Sequence, residues 1–156
     1  MATLSLTGRA LRLLSSREHS RTELERKLAR YEEVPGSLAQ VLDALEAKNF
    51  ISEQRVAESL VHRRASKLGV ARMQQELQAK GLETQTIQEA LQIARSTELQ
   101  RAHAIWQKKF GKNIQSTSDV QERARQMRFL ASRGFGGDTI RKVMGGSLED
   151  DFTDPA

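Results

Sequence analysis

The chain repeats itself. Gln75–Leu91 (QELQAKGLETQTIQEAL) and Met127–Met144 (MRFLASRGFGGDTIRKVM) align at an offset of 53 residues. Leu77 then falls on Leu130, Lys80 on Arg133, Gly81 on Gly134, Leu82 on Phe135, Thr86 on Thr139, Ile87 on Ile140 and Leu91 on Met144. A shift of 49 residues towards the N-terminus finds a weaker third copy, in which Leu11, Leu28, Leu38 and Leu42 meet Leu60, Leu77, Ile87 and Leu91. Shared apolar positions alone can coincide in any helical chain. A shared basic–glycine–apolar step and a shared Thr-Ile pair are harder to obtain by coincidence. A period of this length marks stacked units, each too small to close a good core alone.

Each unit reads as three helices. In the first, Ala10, Leu11 and Leu14 start a helix that ends near Ser16–Glu18. Ser20 and Glu23 have the spacing of a capping box, and Leu24 and Leu28 line the face that follows. A third helix begins near Pro35–Ser37 and carries Leu38, Val41, Leu42 and Leu45, the i, i+3, i+4, i+7 stripe of a half-buried helix. The second unit opens at Ser52 as N-cap. Val56, Ala57, Leu60 and Val61 face inward, Gly69 permits a turn, and Met73 and Leu77 lead to a stop at Gly81. Ile87, Ala90, Leu91 and Ala94 repeat the stripe. The third unit has Leu99, Ala102, Trp106 and Phe110, then a polar connection Gly111–Ser118. Ser118 and Gln121 offer another capping box. Val120, Ala124, Met127 and Leu130 run to a stop at Gly134, and Ile140, Val143 and Met144 form a short last helix. The expected fold is all-α: three tandem three-helix, helix-turn-helix-like repeats forming an elongated, curved array. The expected boundaries are a flexible N-terminus 1–6, repeats 7–51, 52–95 and 96–146, and a flexible acidic tail 147–156.

Composition narrows the chemistry. There is no cysteine, which removes disulfides and thiolate chemistry and fits a reducing compartment. No apolar run approaches the roughly 20 residues that span a bilayer, and Met1–Leu6 lacks the order of a signal peptide. A cytoplasmic chain with no membrane contact is expected. His19, His62 and His103 have no metal-ligand spacing; His19 is read at a turn and the other two on helix surfaces. No phosphate-binding glycine loop and no nucleophile–base order is present: Gly134, Gly136 and Gly137 follow a helix rather than a strand. Glu32 and Glu33 sit together at a loop. No catalytic residue, metal or cofactor is expected.

What remains is basic charge. The net charge is +5, but Glu149, Asp150, Asp151 and Asp154 fall in the last ten residues, leaving twenty-five bases against sixteen acids before them. A basic body points to an anionic partner. The candidate binding residues are Arg9, Arg12, Arg17, Arg21, Arg26, Lys27 and Arg30; Arg63, Arg64, Lys67, Arg72 and Lys80; and Lys108, Lys109, Lys112, Arg128, Arg133, Arg141 and Lys142, with Arg101, Arg123 and Arg125 nearby. Arg9 and Arg12 are three apart and share a helix face. Some of these cations must simply complement helix C-termini, and sequence does not sort them. Aromatic residues are 4% of the chain. Tyr31, Phe50 and Phe135 follow helices and are read as open to solvent, too few for a base-stacking platform.

LLSSREHSRTELERKL (Leu13–Leu28), VLDALEAKNFISEQRVAES (Val41–Ser59), QELQAKGL (Gln75–Leu82) and RFLASRGF (Arg128–Phe135) together resemble the RecX family of bacterial regulators. The resemblance runs in order from about Arg9 to Gly145. It departs at Tyr31–Glu32, where the later units have a basic residue and glycine. It implies three tandem three-helix repeats, binding along the groove of the RecA–single-stranded DNA filament, and inhibition of strand exchange, ATP hydrolysis and coprotease activity. It implies no chemistry performed by this chain. The expected partners are the RecA filament and a single-stranded, or also double-stranded, DNA backbone, met by a monomer.

Two other classes fit the residues alone. A stand-alone helix-turn-helix DNA-binding protein would need a dimer matched to half-sites, and no dimer seam is evident. A helical-repeat scaffold for an acidic protein would leave RecA hydrolysis untouched. The array reading makes a prediction about shape. Solution scattering should return a radius of gyration clearly above the ~15 Å of a compact chain of this length; a value at ~15 Å rejects the open array.

Overall fold

The computed structural model describes residues 3–111 and 120–145. Lys112, Ser118, most of the Gly111–Ser118 connection, residues 1 and 2 of the N-terminal segment, and the acidic tail lie outside the described residues. Within them the chain is helical, with no strand: α1 Leu6–Ser16, α2 Arg21–Leu28 continued by a 3-10 turn Ala29–Tyr31, α3 Ser37–Ala47, α4 Glu53–Arg64, α5 Val70–Ala79, α6 Thr84–Ser96, α7 Glu98–Phe110, α8 Val120–Ser132 and α9 Gly137–Gly145. The helix triplets α1–α3, α4–α6 and α7–α9 match the three-helix reading of the repeats.

The chain forms two compact units. One comprises residues 1–60 and 76–90, the other residues 61–75 and 91–156. Helices α4, α5 and α6 each contribute to both.

In the first unit, Ser5 caps α1 by accepting from the Gly8 amide at 3.0 Å, so the helix starts a turn before Ala10. Ala10, Leu24, Leu28, Leu38, Leu42, Leu45 and Ile51 form the core, with Leu13, Leu14, Tyr31 and Val41 packed on it. Of the apolar residues that mark this helix in the sequence, Ala10 is buried and Leu11 is exposed. Glu32, seen in sequence only as half of an acidic pair, accepts the Gly36 and Leu38 amides and so caps the start of α3. Asn49 takes the left-handed backbone (φ 64) where α3 ends.

The capping box at α2 is present and extended. Ser20 Oγ accepts from the Glu23 amide and donates to the Lys80 carbonyl at 2.7 Å. Glu23 accepts from the Ser20 amide, from Arg17 Nη2 at 2.7 Å and from Lys80 Nζ at 2.9 Å. Burial opposes the Glu23 charge, but Arg17, Lys80 and the Ser20 amide outweigh it and hold the carboxyl at about 2. His19 lies between α1 and α2 and is buried. Its Nδ1 donates to the Arg17 carbonyl at 3.0 Å and its Nε2 accepts from Lys27 Nζ at 3.1 Å, an arrangement that requires the neutral ring. Burial pushes its pKa below the ordinary 6.5, and the Arg17 and Lys27 charges add to this against the Arg17 carbonyl and Glu23.

In the second unit, Ala102, Leu130, Phe135, Ile140 and Val143 form the core, with Leu99, Ile105, Trp106, Phe129 and Met144 around it. Two expectations fail on α8. Val120 is 80% exposed and Met127 36% exposed, while Gln126 is buried. The reason is the indole: Trp106 Nε1–H must find an acceptor on leaving water, and Gln126 Oε1 supplies it at 2.8 Å. Phe135, read as open to solvent, is buried beside it.

Gly81 and Gly134 both have positive φ, +74 and +92. Each ends its helix in the left-handed region where glycine is unstrained. Gly69 does not share that backbone state. Its role is proximity: a Cβ there would stand 2.3 Å from the Gly134 carbonyl oxygen, and its amide donates to the Arg133 carbonyl at 2.7 Å.

Gly69→Ala should cost about 1–3 kcal/mol by urea unfolding, because the backbone must move apart. Gly136→Ala, with open space around it, should cost almost nothing. Acid should also destabilise the chain, since His19 and Glu23 both hold protons less tightly folded than unfolded. The His19 contribution is complete above pH 6.5 and is lost as pH falls through its lowered folded value; that of Glu23 is complete above 4.5 and is lost towards 2. In His19→Asn the urea midpoint should become flat between pH 7.5 and 5, while wild type declines.

Candidate functional site

The cations divide according to what they touch. Arg21 reaches Glu25, Asp43 and Glu46, at 2.6 Å to Asp43, which holds it more firmly protonated than an ordinary arginine. Arg17 and Lys80 are occupied by Glu23. Arg55, outside the basic groups of the sequence reading, pairs with Glu18 at 2.9 Å and donates to the Asn49 carbonyl. The nearby carboxylates of the first unit are thus directed at Arg17, Arg21, Arg55 and Lys80.

Five other cations of that unit are left to line one cleft: Arg9, Arg12, Arg26, Lys27 and Arg30, together with Leu4, Leu13, Leu28 and Tyr31. Its volume is about 600 Å³ and no carboxylate lines it. Helix α1 supplies Arg9 and Arg12 one turn apart, as their spacing requires. Helix α2 and the 3-10 turn supply the rest. Arg9 stacks on the Tyr31 ring at 3.7 Å from its centre, and Arg30 lies at 4.7 Å from the same ring and donates to the Tyr31 hydroxyl at 2.6 Å. Lys27 donates to the neutral His19 ring at 3.1 Å and has no carboxylate partner. Arg26 reaches the Ala79 carbonyl at 3.4 Å. Arg12 is exposed and has no side-chain partner among the described residues.

The second unit holds a smaller group. Phe110 and Phe129 meet edge to face at 5.4 Å. Lys109 lies 4.0 Å above Phe129, Arg133 lies 5.1 Å from it and Arg125 lies 5.2 Å from Phe110. Arg125 also forks onto Glu122, which lowers the pKa of that carboxyl. Arg141 pairs with Asp138, Arg72 donates to the Ser132 carbonyl, and Arg64 is half-buried. Arg63, Lys67, Lys108, Arg128 and Lys142 are exposed with no side-chain partner among the described residues. Arg101 is structural: its guanidinium donates to the Ala65, Leu68 and Ala94 carbonyls, and burial lowers its pKa.

No group of three or more His, Asp or Glu side chains able to hold a metal occurs among the described residues, and no helix there is long and apolar enough to cross a membrane. The arrangement can attract anions and bind them by charge and by arginine forks.

The first, second and third three-helix domains of RecX match residues 8–50, 52–91 and 96–144. The Regulatory protein RecX of Leptothrix cholodnii is 50% identical over 141 residues, covering 90% of this chain and 88% of the relative. That of Ralstonia pickettii is 44% identical over 146 residues, covering 94% and 90%. The crystal structure of RecX from Lactobacillus salivarius superposes with a TM-score of 0.75 at 20% identity, covering 89% of this chain and 92% of that one, a likeness of fold. With all three family domains matched in order and relatives this similar along nine-tenths of its length, the chain belongs to the RecX family of regulatory proteins.

Proposed function

We propose that the chain regulates the RecA recombinase by binding rather than by catalysis: it attaches to RecA on single-stranded DNA and holds back recombination, ATP hydrolysis and coprotease activity. The observation that carries this reading is the separation of cations. Acids are matched to Arg17, Arg21, Arg55 and Lys80, while Arg9, Arg12, Arg26, Lys27 and Arg30 face a cleft without a carboxylate. Charge left uncompensated on a folded surface attracts a polyanion, and phosphate contacts made this way weaken steeply with salt. Membership of a regulatory family supports RecA as the protein partner. Binding in the filament groove, with basic side chains of several repeats touching subunits and strand, makes weak contacts additive and obstructs the inter-subunit movement that hydrolysis needs.

The test is RecA hydrolysis of ATP on single-stranded DNA with this chain titrated in. Wild type should inhibit. The double variant Arg12→Glu, Arg26→Glu should raise the half-inhibitory concentration at least tenfold, and raising salt from 50 to about 200 mM should do the same to wild type. Arg141→Ala, which removes a cation already paired with Asp138, should shift it less than twofold. No inhibition by wild type rejects the RecA reading; inhibition unchanged in the double variant rejects the role of the cleft.

A further inference from the structure

The cleft is more than a charged surface, and the repeat shows why it is open. In the second repeat Lys80 and Gly81 dock on the start of α2, at Ser20 and Thr22, and the Ala79 carbonyl accepts from Arg26 in its last turn. In the third, Ser132, Arg133 and Gly134 dock in the same way on the start of α5. The corresponding residues of the first repeat are Arg30, Tyr31 and Glu32. Among the described residues they make no such dock. Instead the glycine step is gone, and an aromatic ring with guanidinium groups against it lines a cleft of about 600 Å³.

We infer that this cleft is a nucleotide-binding site, with phosphates held by Arg12, Arg26 and Lys27 and the base laid against the Arg9–Tyr31 stack over the apolar floor of Leu13 and Leu28. Its volume is that of a site for a small organic ligand. Cations without a carboxylate suit a group carrying several negative charges close together, as phosphates do. The flat arginine-on-tyrosine pair offers a face on which any base can lie. An acidic peptide suits the cleft less well. Its main-chain amides need acceptors, and the lining side chains offer only the Tyr31 hydroxyl, which already accepts from Arg30. The nucleotide can be free in solution or belong to a DNA strand, and the same chemistry holds both.

The inference stands on the cleft alone, and no RecA enters its test, so either reading can fail without the other. Titration calorimetry on the full chain at about 0.1 M salt uses ATP, a short oligothymidylate, sodium triphosphate and polyglutamate. Saturable one-to-one binding of ATP or the oligonucleotide is expected. Arg12→Glu should weaken it at least tenfold; Lys48→Glu, an equal change of charge at an exposed residue that does not line the cleft, should weaken it less than twofold. Triphosphate should bind several-fold more weakly than ATP, and Tyr31→Leu should remove about tenfold of the nucleotide affinity. If the oligonucleotide displaces ATP, the site takes strand nucleotides; if both bind together, it takes free ones. Absence of saturable binding by either, equal loss in Lys48→Glu, triphosphate binding as tight as ATP, or displacement by polyglutamate at equal charge each overturns the inference. Arg12 is exposed on α1, so its variant keeps the test decisive even where Tyr31→Leu disturbs the adjoining core.

Discussion

One docking step underlies the fold, and it occurs twice among the described residues. At the end of a middle helix, a basic residue followed by a left-handed glycine presents its carbonyl to the start of another middle helix. Lys80 accepts from the Ser20 hydroxyl, and Arg133 accepts from the Gly69 amide. One residue earlier, the Ala79 and Ser132 carbonyls each accept from an arginine, Arg26 and Arg72. One residue later, Gly81 and Gly134 approach Thr22 and Arg72 so closely that a Cβ would meet them at 2.2–2.3 Å. Carbonyls at a helix C-terminus have lost their intrahelical donors. Here another helix start satisfies them, so helix termination and packing are the same event.

The step also explains the division of charge. Lys80 gives its carbonyl to Ser20 and its ammonium to Glu23, so a residue of the basic surplus is fixed in the framework. Arg101 goes further and closes three carbonyls at once. A helical protein of this composition needs some of its arginines as multi-donor fasteners. The surplus left over is what faces solvent, and in the first unit topology collects it around Tyr31.

Much of this was legible in the chain. The offset of 53 residues marks carbonyls that make equivalent hydrogen bonds, Ala79 with Ser132 and Lys80 with Arg133, because a repeated contact leaves a repeated pattern; the offset of 49 relates only the donors Ser20 and Gly69. The Ser20–Glu23 box follows from local chemistry alone, and Lys80–Gly81 and Arg133–Gly134 announce their helix ends. Gln126 was not legible, because a polar residue enters a core only to satisfy a particular partner, and the Trp106 indole is twenty residues away. Leu11 and Met127 failed for the complementary reason: hydrophobicity records what can be buried, while the neighbours decide what is. The sorting of cations was hidden for the same cause. Arg12 and Arg17 look alike in sequence, and only the position of Glu23 separates them. Gly69 reads as a turn residue in sequence, since nothing local distinguishes a glycine needed for torsion from one needed for room.

The contact between Gly69 and Gly134 involves main chain on both sides. Such a joint has no volume to match and no rotamer to choose, so it tolerates drift in every surrounding side chain yet admits not one extra carbon. Exchange of exposed side chains such as Lys67 or Arg128 therefore leaves this seam untouched, whereas one methyl group at Gly69 forces it open.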